Sequence, residues 1–164
     1  TEERHRLFNP SLYIASVSKR RKAQSVARKI HFFVNDIREK HHLPELTSDD
    51  DLISNAYAHS RDMSRNGHFS HKGSDGSSPQ ERCSSFEGVS ENIYMTDTRD
   101  SSKKIAREAV DSWVDSPDHL ENIMRKESRY DGVGVWIGDS IYITHNFAMS
   151  RGHLEFSLTD WLKG

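Results

Sequence analysis

"VGVWIGDSIYITHNFAM", residues 133–149, decides the fold class. Val133, Val135 and Ile137 alternate, Gly138-Asp139 interrupts, and Ile141, Ile143, His145 and Phe147 alternate again. A period of two on both sides of a Gly-Asp pair predicts a hairpin, because successive side chains of an extended chain point to opposite faces. His145 falls on the apolar face, where it reads as a hydrogen-bonded histidine against a sheet.

Upstream the period becomes that of helices. Val26, Ile30, Phe33, Val34 and Ile37 form one stripe, and Pro44 ends the segment. Ser48, with Asp51 three residues on, predicts the N-cap of a second helix. Leu52, Ala56 and Met63 share a face of that helix, with His59 beside them, and Asn66-Gly67 stops it. Ser78-Pro79 with Glu81 is a capping box for a short helix. "EGVSENIYM", residues 87–95, leads into an extended segment near Ile93. Ser102 is placed to cap a helix whose face carries Ile105, Ala106, Ala109, Val110, Trp113 and Val114. Ser116-Pro117 then starts a short helix through Met124. Helices followed by a terminal hairpin predict a layered α+β domain.

The charge is unevenly spread. Net charge is −2, yet residues 1–30 hold eight Lys or Arg against two Glu, while the remainder holds 15 against 23. The basic excess centres on "KRRK", residues 19–22. It reads as a solvated flank, with an arm touching a membrane or polyanion as the sharper alternative. A domain otherwise acidic argues against nucleic acid as a partner. Residues 1–25 are therefore expected as a basic lead-in or linker, 26–150 as the domain, and 151–164 as a C-terminal extension. In that extension Leu154, Phe156 and Leu158 alternate, which predicts a docked strand. No run of about 18 apolar residues crosses a bilayer. The sequence begins at Thr1, so a signal peptide or membrane anchor outside the chain stays open.

Chemistry-bearing motifs are sparse. A single cysteine, Cys83, excludes an internal disulfide, and nothing beside it makes a thiolate. Nucleophile-elbow, phosphate-loop and His-Glu-x-x-His patterns are missing. What stands out is polar residues beside turn residues: "FSH" at 69–71, "SEN" at 90–92 and "SPDH" at 116–119. Two histidines and a carboxylate can hold a divalent metal, do acid–base work, or form a structural network. His71, Glu91 and His119 lie at least 20 residues apart, so spacing alone leaves all three readings open.

The ordered set of stretches resembles the CAP superfamily of cysteine-rich secretory, antigen 5 and pathogenesis-related proteins, in its disulfide-free prokaryotic branch. The stretches are "VNDIREKHHLPELTSDDDL", "AYAHSRDMSRNGHFSH", "SPQERC", "SENI", "AVDSWVDSPDHLENIM", "YDGVGVW" and "THNFAM", in family order from about residue 26 to 149. The resemblance implies a three-layer α-β-α sandwich with a central antiparallel sheet, and a cleft lined by two histidines and two acidic residues. His71, Glu91 and His119 match three of these; His68 does not. The second acidic residue usually follows the helix tryptophan by three positions, where this chain has Ser116, so Asp115, Asp118 or Asp111 must substitute if anything does. Asp115 is taken as the fourth cleft residue. Ser90 also stands where the family more often has Gly.

The expectation is a secreted or cell-surface binding domain. Its cleft would take a lipid, small molecule or protein, with no cofactor required, and zinc is the ion that His71, His119 and Glu91 would hold. A His/Glu-dependent or metal-assisted hydrolase of peptidase type is the alternative.

Overall fold

A long amphipathic helix and a twisted hairpin carry most of the core. The computed structural model describes residues 10–152. The elements are α1 (Pro10–Lys40), β1 (Thr47–Ser48), α2 (Asp50–Asn66), α3 (Pro79–Arg82), β2 (Phe86–Glu87) and β3 (Ser90–Thr96). After them come α4 (Ser102–Val114), α5 (Pro117–Met124), β4 (Tyr130–Ile137), β5 (Ile141–Ala148) and β6 (Ser150–Arg151). The main sheet runs β1-β4-β5-β3, antiparallel in its three long strands, with β1 added parallel to β4. β2 and β6 form a separate short ladder.

The expected hairpin is β4–β5, and its alternation sorts the layers. Val133, Val135, Ile141, Ile143 and Phe147 pack with Val26, Ile30, Phe33 and Val34 of α1, with the apolar face of α4, and with Ile123 of α5. Burying each large aliphatic side chain contributes about 1.5–3 kcal/mol. The opposite face meets α2, where Leu52 clusters with Cys83, Phe86 and Ala148. Helices on both faces make the α-β-α sandwich.

α2 lies unusually close to β4. A methyl group at Gly132 would collide with the backbone of Leu52 and Ile53, and one at Gly134 with that of Ala56 and Tyr57. Helix backbone therefore rests on strand backbone, with no side chain between them. Ser60, fully buried, locks the contact by donating to the Gly134 carbonyl at 2.9 Å, and it shares a 2.8 Å bond with Thr144.

Two buried polar knots hold α1. Arg38, wholly buried, donates to four carbonyls, those of Pro44, Ile123, Arg125 and Ser128. Asp131 accepts from His31 Nδ1 and from His145 Nε2, each at 2.8 Å. Burial pushes the Asp131 carboxyl up, but the two histidine hydrogen bonds and charges outweigh it and leave it at about 2. His31 is raised, chiefly by its bond to Asp131. His145 is lowered because burial outweighs the same bond.

Local signals were shifted by one residue at two helix starts. Asp49, not Ser48, caps α2, accepting from Asp51 and Leu52 N–H, because Ser48 is held in β1. Ser101, not Ser102, caps α4, accepting from Lys104 N–H. Val114, expected on the apolar face of α4, is 36% exposed. The capping box at Ser78 and the left-handed Gly67 stop (φ 63°) are as read. Residues 10–25, expected as a lead-in, form the first half of α1, whose first fully buried side chain is Val26. The strand expected around Leu154, Phe156 and Leu158 lies outside the described residues.

Two outcomes follow. Gly134→Ala lowers unfolding free energy by about 3 kcal/mol in urea titration, since a helix backbone cannot be repacked like a side chain. The second concerns acid. A carboxyl held below its unfolded pKa stabilises the fold above that pKa and loses the contribution as pH falls through the folded value. Asp131 thus contributes about 2 kcal/mol, lost between about pH 4 and pH 2. In Asp131→Asn that acid limb, followed by circular dichroism, is shallower by this amount.

Candidate functional site

Three of the sequence-predicted residues meet at the edge strand β3, at the seam between the two helical layers. Each arrives by a different device. α2 stops at Gly67, whose N–H reaches the Met63 carbonyl, and the chain turns into a pinned loop. Asp62 accepts from the Ser74 N–H and hydroxyl, and Gly73 N–H donates to the Ser77 carbonyl. His71 projects from this loop with half its side chain exposed. Glu91 is the second residue of β3, with a side chain only 1% exposed. His119 lies in the first turn of α5, which is anchored to β3 because Asn92 donates to the His119 carbonyl and Asn122 to the Glu91 carbonyl. Asn92 and Asn122 are also bonded to each other at 2.9 Å.

Glu91 is the hub. Its Oε1 accepts from His71 Nδ1 at 2.8 Å and its Oε2 from Arg82 Nη2 at 2.7 Å. Because a carboxylate only accepts, His71 carries its proton on Nδ1 and turns the Nε2 lone pair away from Glu91. The His71 and His119 rings stand 6.4 Å apart between centroids. Burial lowers the His119 pKa, the neighbouring His71 ring lowers it further and Asp118 opposes, so the ring is mostly neutral at pH 7. His59, buried on α2, donates from Nε2 to the Ser70 carbonyl at 2.8 Å and sits 3.8 Å from Glu91 Oε1. Its pKa too is lowered, first by burial. Arg82 Nε, Ser90 Oγ and His119 Nδ1 are buried and find no hydrogen-bond partner among the described residues.

Asp115, the fourth expected residue, is exposed and ends α4, its N–H bonded to the Asp111 carbonyl. Its carboxylate makes no bond to either cleft histidine. His68 stays apart from His71, 3.7 Å from Asp62. Cys83 is buried, and burial pushes its thiol up to about 11, so it remains protonated. Among the described residues no three His, Cys, Asp or Glu side chains are gathered as a metal cluster. Concavities of about 420 Å³ (Phe32, Asn35, Asp36, Glu39, Leu43) and 350 Å³ (Ser101, Lys103, Lys104, Arg107) lie elsewhere.

Sequence reasoning missed Arg82 and the role of His59. Both are tied to Glu91 only through contact in the folded chain, and no local spacing announces such a partnership.

Comparison with known proteins agrees with this fold. Residues 31–147 match the model of the Cysteine-rich secretory protein family (CAP). The uncharacterized membrane protein YlbC of Bacillus subtilis is 31% identical over 137 residues, which is 80% of this chain and 37% of that protein. An extracellular protein containing an SCP domain from Bacillus anthracis superposes with a TM-score of 0.66 at 26% identity, over 86% of this chain and 44% of that one. An outer surface protein from Borrelia burgdorferi gives a TM-score of 0.66 at 19% identity, over 74% of this chain and 90% of that one. This chain spans less than half the length of the two Bacillus proteins. No helix among the described residues is long and apolar enough to cross a membrane.

Glu91→Ala leaves Arg82, with only 13% of its side chain exposed, as a buried charge without its partner. It costs about 3–5 kcal/mol, read from the urea midpoint. Arg82→Ala, which strands the Glu91 carboxylate, falls in the same range.

Proposed function

Since the chain belongs to the cysteine-rich secretory protein (CAP) family, we propose that it is an extracellular or cell-surface binding domain whose His71–His119 pair takes a divalent transition metal, zinc above others. Glu91 acts in this reading as the group that orients His71, not as a ligand. The observation that supports it is the buried Glu91 carboxylate bonded to Nδ1 of a half-exposed imidazole. Metal-binding histidines characteristically give their other N–H to a carboxylate, which fixes the tautomer and raises the basicity of the free nitrogen.

The rest of the cluster is compatible. A neutral His119 offers a lone pair without first losing a proton. Both Glu91 oxygens already accept hydrogen bonds, so a third ligand would come from water or from the bound molecule. Zinc favours four ligands of this mixed kind and keeps an open position when the protein supplies fewer. The open position is where an oxygen of a small-molecule, lipid or peptide ligand would sit. The surface location is supported by the extracellular and outer-surface nature of the structural neighbours.

Calorimetric titration of zinc into metal-free protein at neutral pH tests this. One-to-one binding is expected, abolished by His71→Ala or His119→Ala in folded protein. Glu91→Gln weakens it about 10–100-fold if Glu91 only orients His71. No heat with wild-type protein, or binding untouched by both histidine substitutions, overturns the metal reading.

A further inference from the structure

The "KRRK" stretch is not absorbed by the cleft, and the fold places it beside other cations. Lys19, Arg20 and Arg21 are exposed on α1, and Lys22 donates to the Arg99 carbonyl just before α4. Arg99 in turn donates to the carbonyls of Gly138 and Asp139 at the β4–β5 hairpin tip. Lys103 and Lys104 follow in the first turn of α4 and line a concavity of about 350 Å³; Arg107 lies farther along, its guanidinium 3.7 Å over the Phe33 ring of α1, eleven residues beyond Lys22. Cations from α1, the β3–α4 connection and α4 thus form one end of the molecule.

Carboxylates at this end are fewer and largely engaged. Asp100 holds Lys104 and the Thr98 hydroxyl, Asp97 accepts from Ser140, and Glu108 lies 4.0 Å from Lys104. Asp139 sits at the hairpin tip. Exposed apolar side chains continue past the basic stretch on α1, with Ile14 66% exposed.

The site cluster occupies the other end. His31 of α1 bonds Asp131 at the start of β4, and Glu91 pairs across β5 in the same region, opposite Asn146. Lys22 instead lies near the far end of β3, beyond Thr96. Five residue steps of strand from Glu91 to Thr96 separate the two ends by roughly 17 Å. Exposed or half-buried carboxylates of the other end include Asp36 and Glu39 in the second half of α1 and Asp50 and Asp51 at the start of α2.

We propose that this basic end is a docking surface for an anionic lipid bilayer, and that docking directs the His71–His119 cleft away from the membrane. Polarised charge orients the approach of such a molecule before contact. A lipid surface fits better than nucleic acid. The cations spread over two helices and a connection and do not line a groove, carboxylates are interspersed, and exposed apolar side chains flank the patch in the manner of interfacial helices. The docking does not depend on what the cleft binds.

Co-sedimentation of the intact chain with vesicles tests it. Phosphatidylcholine vesicles containing phosphatidylserine retain the protein, and pure phosphatidylcholine vesicles do not. Raising ionic strength from about 0.1 M to about 1 M, which shortens the Debye length from about 10 Å to about 3 Å, releases it. Each neutralised cation lowers partitioning about fivefold, so the fourfold variant Lys19→Gln/Arg20→Gln/Arg21→Gln/Lys22→Gln loses at least about a hundredfold. Lys103→Gln/Lys104→Gln loses part of the binding, because α4 belongs to the same surface. Lys40→Gln/Lys126→Gln, at the other end, binds as wild type does. Glutamine is a good helix former, and unchanged circular dichroism confirms that α1 persists. Equal retention on both vesicle types, retention unchanged in the fourfold variant, or binding to duplex DNA without binding to vesicles overturns the proposal.

Discussion

Contact between the α2 backbone and the β4 backbone sets the geometry of everything else. Two glycines one strand repeat apart, Gly132 and Gly134, leave the outer face of β4 bare, and α2 settles on it at two successive turns. The strand's other face must then carry the apolar side chains, as Val133 and Val135 do. That closeness fixes α2 in height and rotation, so His59 comes within 3.8 Å of Glu91 and Ser64, near the helix end, reaches the hairpin turn at Gly138. A side chain between helix and strand would lift α2 by ångströms and carry the His71 loop off Glu91.

The molecule uses one device twice with different consequences. Asp131 and Glu91 are both buried carboxylates that accept from a histidine and are shared with a second donor. Around Asp131, His31 is partly buried on α1 with 28% of its side chain exposed, and His145 is sealed between Trp113 and Phe147 with ring separations of 5.8 and 4.1 Å. That knot ties α1 to the hairpin. Around Glu91 the second partner is Arg82, which balances the buried charge, and the histidine is half exposed. The stabilising charge pair and the outward imidazole are thus separate functions of one carboxylate.

Local order was legible because local physics sets it. Period-two alternation at 133–147, the Gly67 stop and the Ser78 capping box depend on neighbours a few residues away, and each appears where the sequence places it. The two cap shifts show the limit: Ser48 has the chemistry of a cap, but pairing with β4 takes its backbone, and Asp49 inherits the role. The family resemblance brought His71, Glu91 and His119 into one place, which no spacing rule could do. Arg38 and Arg82 were invisible for the same reason. An arginine enclosed by carbonyls or a carboxylate looks in sequence like any surface arginine, because its partners lie 85 or more residues away for the Ile123, Arg125 and Ser128 carbonyls and nine for Glu91.

The placement of the cluster bears on whether it binds or reacts. An edge strand between two helical layers lets a loop from one layer and a helix start from the other approach without entering the core. Neither His71 nor His119 belongs to the main core cluster. A carboxylate that holds Nδ1–H and leaves Nε2 free also suits a general base, which is the arrangement the hydrolase alternative would use. Here Glu91 is already committed to Arg82 through its second oxygen, and His71 is fixed in the tautomer that accepts at Nε2. In the proposed binding reading, that free Nε2 is the atom that receives a cation or a donor group.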